Sequence, residues 1–187
     1  MRRILLQMVF LSLCGCLSPV PDRSKNWTIG HIKGESSRLV GVKREVVKIS
    51  RVDVRAPYDG TRLAVLRADG SLAFDSANVF AASPSRLLSG AAYDAVEASG
   101  FAATVLDSKT AATSNLLLEL VVTRLALDCR TPGSRSASVE VMLRLLESRK
   151  TVSVARAEAS VPIDDPDYTK SFSVAFSRAM TEALKRL

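Results

Sequence analysis

Two of the three cysteines in this sequence, Cys14 and Cys16, lie two residues apart near the N-terminus. Thiols at this spacing can bind a metal ion or act as a redox pair. A metal site would need further ligands, and the only other cysteine and histidine are Cys129 and His31. The residues around the pair favour a different chemistry, in which one thiol is acylated and the other is discarded.

The residues before the pair have the organisation of a secretory signal. Arg2 and Arg3 form a basic start, and residues 4–13 are apolar apart from one glutamine and one serine. This run is too short to cross a bilayer, which takes about 20 residues, but it has the length of the apolar part of a signal peptide. We therefore predict that residues 1–15 are a cleaved signal peptide.

The segment Leu13-Cys14-Gly15-Cys16 resembles a bacterial lipobox, in which an aliphatic residue and two small residues precede the acylated cysteine. Cys14 is a poor acceptor, because the bulky Leu13 would directly precede it. We predict attachment of lipid, such as palmitate, at Cys16, and signal peptidase recognition at Leu13, Cys14 and Gly15. Because Leu17 and not Asp follows Cys16, the sorting rule of enteric-type bacteria predicts the outer membrane, facing the periplasm.

Composition indicates one globular domain beyond a short tether. The chain has 47% hydrophobic and 24% charged residues, which is typical of a folded protein. We assign residues 16–25, which contain two prolines, to the lipidated N-terminus and tether, and residues 26–187 to a single domain. The net charge of +7 comes from scattered side chains. It indicates a solvated surface or an anionic partner such as lipid headgroups, and no motif for nucleic acid is present.

The sequence lacks the common catalytic motifs. It has one histidine and no G-x-S-x-G, G-x-x-x-x-G-K, H-E-x-x-H or C-x-x-C segment, which removes the usual routes to hydrolysis, phosphoryl transfer and metal catalysis. The acidic cluster at residues 164–167 lacks the ligand spacing and glycine of a calcium loop, and acidic residues preceding a helix explain it better. We predict a protein that is not an enzyme and that has no cofactor.

Hydrophobic periodicity predicts a set of strands and two helices. The first helix should begin after Ser83 at Pro84 and end at Gly100, and the second should run from near Asp165 and Pro166 to the C-terminus. Between strands, Asp69-Gly70 predicts a type I′ turn. Strands are expected at residues 26–32, 46–56, 62–67, 71–75, 103–106, 115–129, 136–148 and 151–162.

This order predicts an α+β fold, with a largely antiparallel mixed β-sheet and two amphipathic helices packed on one face. Residues 115–129 are almost wholly apolar and should form a central strand that is covered on both faces. The following two strands alternate apolar and polar residues. Their polar face should therefore lie opposite the helices, toward solvent or a partner.

Three stretches carry a resemblance to a known family: VDVRAPYDGTRLAVLRADGSLAFDSANVFAASPSRLL, NLLLELVVTRLALDC and SVEVMLRLLESRKTVSVARAEASVPI, followed by the amphipathic C-terminal segment. With the lipobox, this order resembles the ABC-type transport auxiliary lipoproteins. These are outer-membrane partners of Mce/MlaD-type lipid transport systems, including the paraquat-inducible Pqi type. The likeness covers most of residues 46–187. Leu66-Arg67 stands where the family often has Tyr-Arg, and Phe80 where a tryptophan is common.

The resemblance implies a non-enzymatic lipoprotein that docks a periplasm-spanning Mce/MlaD-type protein, whose ABC permease and ATPase lie in the inner membrane. Such a protein would support intermembrane lipid trafficking and envelope integrity. Arg67 is the candidate partner contact, with a plain surface arginine at the hairpin end as the alternative. A homo-oligomer is left open. The rival functions are an outer-membrane assembly lipoprotein that partners a β-barrel such as a lipopolysaccharide translocon, and a lipid-binding module with its own apolar cavity.

Overall fold

The computed structural model describes residues 25–30, 32, 39, 44–164 and 168–187 of the chain. The predicted signal peptide and lipobox, including Leu13, Cys14, Gly15 and Cys16, lie outside the described residues, as do His31 and the predicted helix start at residues 165–167. None of the helices in the described ranges has the length and apolar character needed to cross a membrane.

Nine strands and two helices make up the described part of the chain. In chain order they are β1 (Lys25–Trp27), β2 (Arg44–Ile49), β3 (Asp53–Val54), β4 (Arg62–Leu66), β5 (Leu72–Phe80), α1 (Pro84–Ser99), β6 (Ala102–Leu106), β7 (Leu116–Asp128), β8 (Ser136–Glu147), β9 (Lys150–Pro162) and α2 (Tyr168–Lys185).

Strand β7 is the centre of the sheet, because neighbouring strands pair with both of its edges. Strand β8 runs antiparallel along one edge. Along the other edge β2, β3 and β4 follow one another, all parallel to β7. Leu125 on one face of β7 and Ala126 on the other are both at most 1% exposed. Cover on both faces explains the near-continuous apolar sequence and confirms the predicted central strand.

The α+β fold class is confirmed, and the sheet is mixed. The longest pairings are antiparallel and join β7, β8 and β9 in a meander, as predicted. Strands β4 and β5 form an antiparallel hairpin, with β1 parallel to β5, while β6 lies parallel to β2. The strand predicted at 46–56 is divided into β2 and β3. The connecting segment stays against β7, because Ser50 and Arg55 donate backbone N–H groups to the carbonyls of Leu118 and Val122.

The first helix matches its sequence signals closely. It begins at Pro84 and ends before Gly100, whose φ of 68° is a left-handed conformation that glycine adopts without strain. Ser83 occupies the N-cap position, but its hydroxyl makes no capping hydrogen bond. The predicted apolar stripe is buried throughout, at 3% exposure or less: Leu88, Ala91, Ala92, Ala95 and Val96.

The second helix, α2, packs across β8 and β9 on the same face of the sheet as α1. Phe172 of α2 meets Phe80 of β5 edge-on, with ring centroids 6.1 Å apart, a favourable aromatic geometry. Ser173 and Ser177 are also buried. Their hydroxyls accept hydrogen bonds from the backbone N–H groups of Gly30 and Ile32. The chain after β1 therefore lies against α2, and the predicted strand at 26–32 pairs with β5 only through β1.

The β4–β5 turn and the β8–β9 turn have backbone conformations that the sequence did not predict. The type I′ turn predicted at Asp69-Gly70 is wrong, because only Gly70 has a positive φ there, of 80°. The Asp69 carboxylate instead accepts the backbone N–H of Ser71 at 2.9 Å. Two successive positive φ values occur at the β8–β9 turn, at Ser148 (48°) and Arg149 (70°). The sequence predicts a turn at Arg149-Lys150 between these two strands. It does not predict the positive φ values, since neither Ser148 nor Arg149 is a glycine or asparagine.

We expect Arg149→Gly to stabilise the domain. The left-handed conformation costs a side-chain-bearing residue about 1–2 kcal/mol, and glycine avoids most of that cost. Urea unfolding of residues 25–187 should therefore show a gain of about 1 kcal/mol in the free energy of unfolding. Arg149→Ala, which removes the same side chain but keeps the strain, should show no such gain. An equal gain from both variants would contradict this explanation.

Candidate docking surfaces

The sheet has one face without helices, which we call the helix-free face. The outward residues of β7, β8 and β9 line up there in cross-strand rows, because each strand is in register with the next. Three rows matter for the surface chemistry. They are Arg124–Glu140–Glu158, Val121–Met142–Arg156 and Glu119–Arg144–Val154.

The first row places one arginine between two glutamates. Arg124 donates to Glu140 at 3.0 Å and to Glu158 at 2.8 Å, and its side chain is only 23% exposed. Both terminal nitrogens of this guanidinium are engaged, so Arg124 is not available to bind an external anion. The row as a whole carries one excess negative charge.

The middle row is apolar on two of its three strands. Met142 is 2% exposed and Val121 is 8% exposed, although both lie on the helix-free face. The long charged side chains of the rows on either side cover Val121 and Met142 and exclude water from them. In the third row the Arg144–Glu119 contact is longer, at 3.8 Å. At the β8–β9 end of the face, Val152 and Val154 are about half exposed. They add an exposed apolar patch to the helix-free face.

Within the described residues β9, β6 and β1 each lie at an edge of the sheet, because each pairs with one neighbouring strand only. Edge strands expose backbone groups that can pair with another strand. On β9 the carbonyl of Arg156 accepts a hydrogen bond from Arg186 at 2.7 Å, and that of Pro162 accepts one from Ser171. The side chains of the C-terminal helical region thus occupy part of this edge.

The predicted contact Arg67 lies exposed in the β4–β5 hairpin. Its backbone shapes the turn, since its carbonyl accepts the N–H of Gly70 and its N–H donates to Ser71. The structure does not bring Arg67 together with the charged rows of the helix-free face. An open groove of about 310 Å³ lies beside the loop that precedes β4 and is lined by Pro57, Asp59, Gly60, Thr61, Arg62 and Phe74. No local sequence signal predicts this groove, because it forms where the loop meets Phe74 of β5.

The comparison with protein families decides the family. A model of the ABC-type transport auxiliary lipoprotein component matches residues 29–187. The chain belongs to this family. The auxiliary lipoproteins are not a known class of enzyme. No curated protein sequence matches the chain.

Solved structures show the same fold at low sequence identity. A Xanthomonas campestris protein of family DUF330 is 20% identical, with a TM-score of 0.59, over 87% of this chain and 89% of that one. PelC from Paraburkholderia phytofirmans, solved as a dodecamer, is 12% identical, with a TM-score of 0.50, over 81% of this chain and 94% of that one. At these identities the likeness is one of fold alone.

Cys129 of this auxiliary lipoprotein is partly buried and packs against the hydrophobic core. Burial raises the pKa of its thiol, which lowers the fraction of reactive thiolate.

The neighbouring Asp128 carboxylate accepts hydrogen bonds from Arg130, the shortest at 2.6 Å. This interaction holds the pKa of the Asp128 carboxyl below its ordinary value of 3.8. The sequence analysis did not predict this ion pair between Asp128 and Arg130, although the two residues lie only two positions apart.

We expect Arg124→Met to destabilise the domain by about 1–2 kcal/mol, because Glu140 and Glu158 would then face each other without a cation. Urea unfolding measures the loss. Arg144→Met is the matched control, since that arginine is 40% exposed and its contact is longer, and it should cost less than about 0.5 kcal/mol. Equal losses would show that the charged row has no special role.

The Asp128–Arg130 pair should give a pH-dependent contribution to stability. A carboxyl whose pKa is lowered in the folded state stabilises the fold above its unfolded pKa, and this contribution is lost as the pH falls through the folded pKa. The difference in unfolding free energy between wild type and Arg130→Ala should therefore be largest near pH 6 and shrink below about pH 4. Arg86→Ala, at an exposed helix position, is the control and should give a difference that does not change with pH.

Proposed function

We propose that this auxiliary lipoprotein docks a periplasm-spanning Mce/MlaD-type protein of an ABC lipid transport system at the outer membrane. It thereby supports lipid trafficking between the membranes and the integrity of the envelope. The observation that carries the proposal is the family match across residues 29–187, because it ties the whole described domain to ABC-type transport in an auxiliary role.

The described surface suits docking. The sheet ends in strand edges that can accept an added strand, a common mode of peptide recognition. The helix-free face combines paired charges with the exposed Val152 and Val154. Such a mixture of apolar area and fixed charge supports a specific protein contact.

The proposal includes the N-terminal lipid anchor. Cys16 would carry the acyl chains after cleavage guided by Leu13, Cys14 and Gly15. An extended chain spans at most about 3.3–3.6 Å per residue, so the nine-residue step from Cys16 to the start of β1 at Lys25 allows a reach of roughly 30 Å. Because the anchor would keep the domain within this distance of the membrane, it would raise the effective concentration of the domain for a partner that arrives there.

We also propose that several copies assemble. PelC shares the fold and was solved as a dodecamer. Repeated copies would present the docking surface several times around one partner, which increases avidity without any new type of contact. Sedimentation of the lipidated chain in mild detergent measures this directly, and a strictly monomeric species would overturn it.

We expect Cys16→Ala to abolish lipid attachment and release the protein from the outer membrane, because the acyl chains supply the membrane affinity. Metabolic labelling with radioactive palmitate and membrane fractionation measure both effects. Cys14→Ala is the matched control, since alanine is also small, and it should retain label and location. Loss of label in Cys14→Ala with retention in Cys16→Ala would reverse the assignment of the acceptor.

The docking function is tested by purifying the tagged, lipidated chain from mildly solubilised envelopes and identifying the bound proteins by mass spectrometry. We expect an Mce-domain protein together with its permease. Recovery of an outer-membrane β-barrel without any Mce component would favour the assembly lipoprotein function instead. Unchanged lipid transport after deletion of the gene, with no Mce protein bound, would rule out the proposal.

A further inference from the structure

Strand β6 is the edge of the sheet that is least protected against pairing with another strand. It contains two alanines, a threonine, a valine and a leucine, with no charge and no proline. Within the described residues it pairs with β2 alone. Edge strand β9, in contrast, carries Lys150, Arg156, Glu158 and Pro162, which are the residue types that discourage edge pairing.

An open groove of about 400 Å³ runs between β6 and the C-terminal turns of α1. The helix contributes Tyr93, Glu97 and Ala98, and the strand contributes residues 102–105. Ala103 and Thr104 are exposed along it. Because most of these side chains are small, an incoming chain can approach the backbone of β6 closely. A helix beside an open strand edge thus provides backbone hydrogen-bonding groups on one wall and side-chain contacts on the other.

The charge of the groove indicates which kind of side chain a partner would place there. The Tyr93 hydroxyl donates to Glu97 Oε1 at 3.4 Å, and the negative charge of Glu97 is the main cause that raises the pKa of Tyr93, ahead of burial, the hydrogen bond to Glu97 and the charges of Asp107 and Asp94. Among the described residues, no lysine or arginine nitrogen lies within 4 Å of the Glu97 or Asp94 carboxylate. Among the described residues that line the groove, Glu97 alone is charged. On a chain with a net charge of +7, the groove thus presents a carboxylate that complements a cation.

We propose that β6 binds an extended segment of a partner protein by strand addition, with a lysine or arginine side chain of that segment placed beside Glu97. Backbone hydrogen bonds to β6 supply affinity for any extended segment. The ion pair with Glu97 fixes the register and excludes segments that place an acidic residue there. The inference rests on the proposed function, because the Mce/MlaD-type protein is the partner expected to supply the segment.

The test places the photoreactive residue benzoylphenylalanine at Ala103 in the full lipidated chain, in cells that contain the transport system. After irradiation, mass spectrometry identifies the linked peptide. We expect a segment of another protein with a lysine or arginine within about two residues of the linked position, as neighbouring positions on an added strand require. The same label at Val152 on β9 is the positional control and should not link to this segment.

Charge reversal tests the role of Glu97. Glu97→Lys should reduce the yield of the link at Ala103 by about tenfold, because it replaces attraction by repulsion. Glu147→Lys introduces the same change of charge at the exposed end of β8 and should leave the yield unchanged. Equal effects of the two variants would overturn the assigned register.

Other outcomes separate the inference from the proposed function. A link from Ala103 to a second copy of this chain, to residues 33–43 of the same chain, or to nothing would overturn the inference. If an Mce protein co-purifies but links only from Val152, docking stands and the β6 site falls. If Ala103 links to a basic segment while no Mce protein co-purifies, the site stands and the assignment of its partner falls.

Discussion

The pairing of β7 on both edges is the constraint on which the rest of the structure depends. One strand of 13 residues holds β8 along one edge and β2, β3 and β4 in succession along the other. The backbone groups of β7 are satisfied by these neighbours, and its side chains are covered on both faces. The helices then need only cover one face of the sheet, and α1 and α2 do so from the same side.

The helix-free face shows how a sheet can stay closed to water without a second layer of helices. Arg124 joins the charged ends of Glu140 and Glu158, so three strands are connected by side chains as well as by backbone. Beside this row, Met142 and Val121 are buried by their neighbours on the same face. The result is a surface on which Arg124, Glu140 and Glu158 hold one another in place, and on which the exposed apolar side chains Val152 and Val154 lie on β9.

The edges of the sheet at β9 and β6 differ in a way that matters for docking. Strand β9 is long and charged, and the C-terminal helical region binds two of its carbonyls. Strand β6 is short and uncharged, and lies beside a groove that presents the Glu97 carboxylate. The domain therefore has one edge, β9, that discourages pairing with another strand, and one edge, β6, that permits it. This asymmetry supports a directional contact with a partner.

The elements whose signals are local could be predicted from the sequence. Pro84 and Gly100 marked the ends of α1, alternation marked β8 and β9, and the unbroken apolar run marked β7 as central. The sequence also supports the family, since the likeness lies in the order of these elements. The lipobox prediction at Cys16 rests on the sequence alone. The other features became visible in the folded domain, because they depend on residues that are distant in sequence. The parallel pairing of β2 to β4, the row through Arg124 and the groove between α1 and β6 all arise from long-range packing, and the left-handed Ser148-Arg149 turn follows from the register of two long strands rather than from turn residues.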